Sequence, residues 1–469
     1  MSASASSASP ATTDNVAIKV YRYALDPTPQ QVEILRRYAA AARCAFNFAL
    51  GLKVAVYEAW KRHRDRLIAQ GMTREQANKA APKLRVPTRN RAQAYWRQTK
   101  GQPFIGPLRE GEERPVSYPW WERVNNRAYY TAFEDADRAW QNWLDGLAGK
   151  RPPVGFPRFK RRNSSRESFR IVHSLTSPDI RFQGHRRIRI PGGGGQPAFT
   201  VRLHKTARAL ARKVDAGKAV ITSMTVAREG HRWYASVVAR VQHTPPAGPT
   251  RRQREAGRIG VDLGVAKLAT LSDPLHLAPG TPAVEFVPNP RLLENTARKL
   301  ARAQRVMARR YVKGQPPSKG YLEAKARVAK LHALLAAQRA TAQHLFTKRL
   351  VQQYAEIALE TLNVKGMTAS AKGTADKPGK RVRQKAGLNR AILDVGFGEI
   401  NRQIEYKAAW HGVTVFRVPR FFPSSKTCHK CGWIDTGQTL NDRQFRCGSC
   451  GMVMDRDANA ARNIKLNAV

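Results

Sequence analysis

Two Cys-x2-Cys pairs near the C-terminus, Cys428/Cys431 and Cys447/Cys450, constrain this chain more than any other feature. Fifteen residues separate the pairs, and Gly432 and Gly451 follow them directly. Each pair forms a knuckle, and two knuckles supply the tetrahedral thiolate set of a closed zinc site. Four reduced core thiols would require neither the matched spacing nor the glycines. A disulfide framework does not suit a chain whose start, MSASASSASPATTDN, lacks the basic residues and apolar core of an export signal. Four sulfurs leave no position open for a substrate. The expected Zn2+ is therefore structural, holding a ribbon too small to fold alone. His429, inside the first knuckle, is surplus once four thiolates bind. Cys44 stands alone near a helical apolar stripe and reads as a small core residue.

Carboxylates flank this ribbon in a pattern of their own. In RIGVDLGVAKLATLS, Asp262 sits on a strand among Ile259, Val261 and Leu263, which is costly unless something cationic satisfies it. In EIALE, a short apolar strand ends at Glu360, 98 positions later. In MDRDANAARNIKL, Asp457 stands at the start of a helix, with Asp455 as a rival that could simply be an acidic residue before a helix N-terminus. Open α/β sheets place ligand chemistry at the carboxyl ends of their strands. Three carboxylates converging there can hold two Mg2+ or Mn2+ ions about 3.5–4 Å apart. Hard cations prefer oxygen ligands, which accounts for acids rather than His or Cys. One ion would then activate water and the other would stabilise a leaving 3′ oxygen, the chemistry of a metal-dependent endodeoxyribonuclease.

Charge supplies the partner. Lys and Arg number 83 against 34 for Asp and Glu, a formal net charge of +49. A compact chain with that excess repels itself unless a polyanion neutralises it, and charge kept only for solubility would mix both signs. The excess exceeds what a short duplex contact needs and points to a large or permanently bound RNA. There is no uncharged apolar run of about 18 residues, so no membrane span is expected and the protein is read as cytoplasmic.

The length allows roughly three domains. Residues 1–15 read as a disordered tail and Ile18–Leu25 as β-prone. Thr28, Pro29 and Gln31 make a helix start, with an apolar stripe continuing to about Arg64. Arg66–Pro119 is basic and broken by prolines. Trp120–Leu147 returns to helical spacing with many aromatics, which fill a core more often than they stack on bases. GFPRFKRR follows, and its Arg158, Lys160, Arg161 and Arg162 are candidate phosphate contacts. Strand-like runs at Arg187–Ile190, Phe199–Leu203, Ala219–Ala227 and Trp233–Val241 form a small β module, separated by glycine-rich turns such as Gly192–Gly195. Its first strand would precede the long helix, making the helices an insertion. Pro245–Arg254 reads as the main linker.

These stretches resemble one family. GVDLGVAK, ALETLNVKGM, EYKAAWHGVTV, FFPSSKTCHKCG…CGSCG and DRDANAARNI are similar to the TnpB (OrfB) proteins of insertion sequences and to their relatives, the miniature type V CRISPR–Cas effectors. TPQQVEILRRYAAAARCAFNFAL and GFPRFK agree more loosely. The resemblance implies that Asp262, Glu360 and Asp457 are the catalytic acids. It also implies an α+β multidomain layout: a β-barrel wedge domain (16–27 and 175–250) interrupted by a helical recognition lobe (28–174), then an RNase H-like RuvC domain (255–420 and 455–469) carrying a zinc ribbon (421–454). By that likeness the chain binds a guide RNA and cuts double-stranded target DNA. Two other expectations remain open, a guided binder that does not cut and a DNA-strand transferase using the same acids.

Overall fold

The computed structural model describes residues 16–99, 104–105, 115–116, 124–162, 165–173, 180–193, 196–244, 246–439 and 442–469. The expected tail at 1–15, Trp120 and Trp121 lie outside them, as do Gly194 and Gly195. The chain divides into two compact units, one ending at His243 and the other beginning at Thr244.

In the first unit β1 (Val16–Asp26) is followed by α1 (Pro29–Ala69), α2 (Arg74–Ala80), α3 (Arg89–Thr99), the pair β2 (Phe104–Ile105) and β3 (Pro115–Val116), and α4 (Asn126–Leu147). Then come β4 (Ser168–Val172), β5 (Phe182–Gln183), β6 (Arg187–Ile190), β7 (Phe199–Leu203), α5 (Arg208–Asp215), β8 (Ala219–Glu229) and β9 (Arg232–Gln242). One antiparallel sheet runs β4-β8-β9-β1-β7-β6-β5, and none of the described pairings joins β4 to β5. β1 pairs with β9 from Val16↔Gln242 to Leu25↔Trp233, so the helices leave and re-enter a single sheet. Ser168–Val172, expected within the helical stretch, instead pairs with β8, because Phe169 and Ile171 alternate into the core. The proline-broken stretch holds α2, whose Thr73 forms a capping box with Gln76.

α1 starts as its sequence dictates. Thr28 is extended and exchanges hydrogen bonds with Gln31, while Pro29 opens the first turn. Leu35, Tyr38, Ala42, Ala45 and Ala49 then recur every three or four residues and are buried, with Phe46 beside them. A window of α1 is long and apolar enough to cross a bilayer, yet half of it is buried within the unit. The aromatics of α4 fill the core: Phe133 and Trp140 are buried, and Trp143 meets Trp140 edge-on at 5.2 Å and Phe156 at 4.9 Å. Cys44 is buried with them.

The second unit begins with α6 (Arg251–Ala256), a short helix capped by Thr250 where the sequence suggested only a linker. β10 (Arg258–Leu263), β11 (Lys267–Leu275) and β12 (Val284–Pro288) are followed by α7 (Leu292–Arg309), α8 (Lys319–Gln353), β13 (Glu356–Glu360) and α9 (Val364–Met367). The unit ends with α10 (Val382–Val395), α11 (Phe397–His411), β14 (Thr414–Val418), β15 (Gln444–Arg446), β16 (Val453–Asp455) and α12 (Arg456–Asn467). Its five-stranded sheet runs β12-β11-β10-β13-β14, antiparallel from β12 to β10 and parallel from β10 to β14.

Side chains alternate across a strand, so each strand feeds two layers. Ile259, Val261, Ile357 and Leu359 pack with Phe346 and Leu350 of α8 and Ile400 and Ile404 of α11. The intervening positions face the other way: Ala358 joins Val418 and Ile464, and α12 lies on that face. Gly260 makes the approach possible, because a Cβ there would lie 2.0 Å from the Ala461 carbonyl oxygen and 2.7 Å from the Lys465 nitrogen. Gly260→Ala is expected to push α12 off the sheet at a cost of about 1–3 kcal/mol, the usual range for overpacking. A denaturant midpoint equal to that of the unsubstituted chain would show that the contact is not tight.

Candidate active site and metal centre

Strand register places the first two acids side by side. The parallel ladder pairs Arg258 with Glu356 and continues to Val261↔Leu359, a constant offset of 98 residues. Asp262 and Glu360 share that offset and occupy the next rung, at the carboxyl ends of β10 and β13. By alternation Asp262 lies on the same face as Gly260, and Glu360 on the same face as Ala358, the side covered by α12.

Helix geometry brings the third acid to them. Ala461 and Lys465 sit over Gly260, and the Arg258 guanidinium reaches the main-chain oxygens of Lys465 (3.4 Å) and Ala468 (3.1 Å). Four helical residues rise about 6 Å and two strand residues about 6.6 Å, so α12 and β10 keep step in opposite directions. One further helical turn brings Asp457 to Asp262. Asp455, its rival, is the N-cap: its Oδ1 accepts from the amides of Asp457 and Ala458, both at 3.0 Å, and Lys267 pairs with it at 3.2 Å.

The electrostatics follow from this crowding. Burial, reinforced by the charges of Glu360 and Asp457, pushes the Asp262 carboxyl well above the usual carboxylate range, against the opposing pull of Arg456 and Lys267. Arg456 pairs with Asp457 at 3.1 Å, and Ser424 donates to Glu360 Oε1 at 2.7 Å. Lys267, Arg456 and Ser424 carried no signal of their own in the sequence. A donor set of carboxylate oxygens whose mutual repulsion a cation would relieve fits Mg2+ or Mn2+.

The cysteines meet as their spacing required. The sulfurs of Cys428, Cys431, Cys447 and Cys450 all lie within 4.8 Å of one another, with Cys428–Cys450 at 3.7 Å and Cys431–Cys447 at 3.5 Å. Zn–S bonds of about 2.3 Å set tetrahedral sulfurs about 3.8 Å apart. The backbone makes both knuckles alike: Gly432 N donates to Cys428 O and Gly451 N to Cys447 O, and both glycines take positive φ, 78° and 70°. Phe445 on β15 is fully buried beneath Cys428 and Cys447. His429 turns away from the sulfurs, its Nδ1 3.0 Å from Asn459 Oδ1.

α12 ties this cluster to the acids. Asn459 and Asn463, one turn apart and buried, both donate to Thr427 O, and Asn463 also donates to Ser424 O at 2.8 Å. The segment held this way carries Ser424 at one end and Cys428 at the other. The asparagines at i and i+4 in DANAARN are the signal from which this staple, missed in the sequence, could be found. The four basic candidates of the first unit behave differently from one another. Arg158, Arg161 and Arg162 are exposed, whereas the Lys160 ammonium lies 3.9 Å from the Phe46 ring centre and its main chain is clamped by Asn47 at 2.8 and 2.9 Å. Burial lowers the Lys160 pKa, so this group is part of the unit's packing.

Two outcomes are expected here. Cys428→Ser should release zinc and lower the melting temperature, since structural zinc contributes on the order of 10 kcal/mol of folding free energy; unchanged zinc content by atomic absorption would refute the site. For Asp262, a raised folded-state pKa means that the folded chain holds the proton more tightly. Stability is then lost as pH rises from the ordinary carboxylate range through the raised value. Asp262→Asn should therefore melt higher than the metal-free parent at pH 7, with the difference closing towards about pH 4. Mg2+ should raise the melting temperature of the parent alone. A lower melting temperature for Asp262→Asn at pH 7 would contradict the mutual repulsion.

Residues 236–371 match the family described as "Probable transposase", residues 397–464 the family "Cas12f1-like, TNB domain", and residues 17–62 a family described as "Helix-turn-helix domain". That last span is one strand and one unbroken helix here, β1 and most of α1. The chain is 33% identical over 454 residues to "Putative RNA-guided DNA endonuclease Rv2885c" of Mycobacterium tuberculosis strain H37Rv, covering 95% of this chain and 86% of that one. It is 30% identical over 447 residues to the InsQ protein of Escherichia coli K12, which bears the same description, covering 95% and 91%. Among solved structures it is similar to a Cas12f1–sgRNA–target DNA complex, with a TM-score of 0.49 and 14% identity over 93% of this chain and 83% of that one. The chain belongs to the TnpB (OrfB) family of insertion-sequence proteins, whose relatives carry the description of RNA-guided DNA endonucleases.

Proposed function

We propose that this protein is an RNA-guided DNA endonuclease that hydrolyses target DNA at a single acidic site formed by Asp262, Glu360 and Asp457. The observation that carries this reading is the convergence of the three carboxylates at the carboxyl ends of β10 and β13, under the first turn of α12. Divalent ions held by these oxygens would polarise the scissile phosphodiester and stabilise charge on its entering and leaving oxygens. The residues of the chain position that chemistry. Ser424 orients Glu360 through its 2.7 Å bond, and Asp455 fixes the first turn of α12 so that Asp457 meets Asp262.

The second unit, with its mixed five-stranded sheet, is read as the RuvC domain (255–420 and 455–469), and the cysteine-bearing segment 421–454 as a structural zinc ribbon. The first unit is read as the wedge and recognition part, with β4 added to the wedge sheet. Guide RNA and double-stranded target DNA are the partners. Pairing between RNA and target would read the sequence, while the protein grips backbone and duplex shape. Exposed Arg158, Arg161 and Arg162 are proposed phosphate contacts.

Because the "Probable transposase" match spans Asp262 and Glu360, strand transfer is the second reading. Products distinguish the two: hydrolysis leaves free 3′-hydroxyl and 5′-phosphate ends, whereas transfer joins strands. With the co-purified RNA and a matched DNA target, Asp262→Ala and Glu360→Ala should each lower cutting by at least about 1,000-fold, consistent with loss of several kcal/mol of transition-state stabilisation. Target affinity should change less than three-fold, since phosphate contacts stay in place. Loss of binding along with cutting would make the acids structural and overturn the proposal.

A further inference from the structure

The amino ends of the same strands hold a second concave feature. A cavity of about 630 Å3 is lined by Arg252 ahead of β10, Arg349 and Gln352 ahead of β13, His411 ahead of β14, and His276 just past the end of β11. Asp262 and Glu360 stand four residues along β10 and β13, roughly 13 Å of strand from this edge. The chemistry of the two ends is opposite. No carboxylate lines the cavity, and neither Arg252 nor Arg349 forms an ion pair among the described residues.

Its walls are held before any ligand arrives. Gln253 is buried, donating to Val351 O at 2.8 Å and accepting from Thr250 N at 2.7 Å, which anchors the backbone of Arg252. The Gln353 amide is bonded both ways to the main chain of His276, at 3.0 and 2.8 Å. Arg349 Nε donates to Leu277 O at 3.1 Å, leaving the terminal nitrogens of its guanidinium outside that bond. The Thr281 carbonyl can only accept, so His276 Nδ1 donates to it at 3.0 Å, and Nε2 faces a ligand as an acceptor in the neutral ring and as a donor once the ring is protonated. Guanidinium forks match the oxygens of a phosphate, and Arg349, already held through Nε, has less freedom to lose on binding. The volume lies within the range of small-ligand pockets.

We infer that this cavity binds a phosphate group, carried by a nucleic-acid strand or by a free nucleotide, and holds it without cutting it. Binding there does not depend on the acidic site or on the proposed nuclease activity.

Diethylpyrocarbonate footprinting of the full-length protein tests this at the residues themselves, since the chain's overall charge makes bulk affinity uninformative. Adenosine monophosphate and a short single-stranded RNA are the probes. The exposed His332 on α8 is the internal reference. At saturation either probe should slow modification of His276 and His411 about ten-fold and leave His332 unchanged. Arg252→Gln/Arg349→Gln should abolish that protection. If the double variant proves unstable, Arg252→Gln alone, on an exposed side chain, should weaken it. Protection by RNA alone assigns the phosphate to a strand, and equal protection by the mononucleotide shows that one phosphate ester suffices. Unprotected histidines with both probes, or protection that survives the arginine substitutions, would overturn the proposal. An inactive Asp262→Ala protein should give the same footprint, which separates failure of this site from failure of the nuclease reading.

Discussion

The contact of α12 with β10 at Gly260 is the constraint on which the second unit depends. Without a side chain at 260, the helix backbone comes directly onto the strand, and the repeats of helix and strand then stay in step along their length. Three consequences come from that single approach. Asp457 arrives at the rung occupied by Asp262 and Glu360, Arg258 reaches the last carbonyls of the helix, and Asn459 and Asn463 are aimed at the segment leading into the first knuckle. A larger residue at 260 would displace all three together, because α12 moves as a rigid rod.

The three acids converge inside a chain with a net charge of +49. Two cations beside the trio offset only part of its charge: Lys267 is shared with Asp455 and the Phe286 ring at 3.7 Å, and Arg456 pairs with Asp457 itself. Burial, reinforced by the charges of Glu360 and Asp457, still raises Asp262, and a divalent cation held by these oxygens would relieve that strain. Over a longer range the sign reverses. In the proposed nuclease reading the chain's net positive charge would draw in a polyanion, and ions held by the acids would let its backbone approach them. Stability given up at the acids is the counterpart of that affinity.

The legible parts of the chain were those with short-range rules. Knuckle spacing and its glycines located the four cysteines that meet, a strand of apolar residues interrupted by Asp262 located β10, and Thr28-Pro29-x-Gln31 located the start of α1. The sequence was less informative where tertiary pairing decides. Ser168–Val172 is a five-residue run after a basic segment, and only its partner β8 makes it a strand. Thr250 and Gln253 cap a six-residue helix that a Pro/Gly/Arg composition disguised as linker. Lys160 lies in a basic run, yet Asn47, far away in sequence, holds its main chain and so turns its ammonium onto Phe46. Asp455 and Asp457 were separated only by the capping bonds, since both precede or begin the same helix.

The order of elements explains why a four-cysteine cluster stands where it does. The trio comes from β10, β13 and α12, and closing the long loops between them has an entropic cost that grows with the logarithm of loop length. α7 and α8 bridge the first gap with a packed helical hairpin, Leu300 and Ala303 against Val328 and Leu335. The second gap, from Glu360 to Asp457, is covered as far as Val418 by α10, α11 and β14. What remains, between Val418 and α12, contains among the described residues two short strands and one small buried cluster around Phe445. So few apolar contacts cannot order such a segment. Four thiolates on one metal ion can, and the asparagines of α12 then transmit that order to Ser424 and Glu360. In the proposed reading the ribbon would be a clip that closes the last loop of the acidic site, and a metal held there would act on the acids through geometry alone.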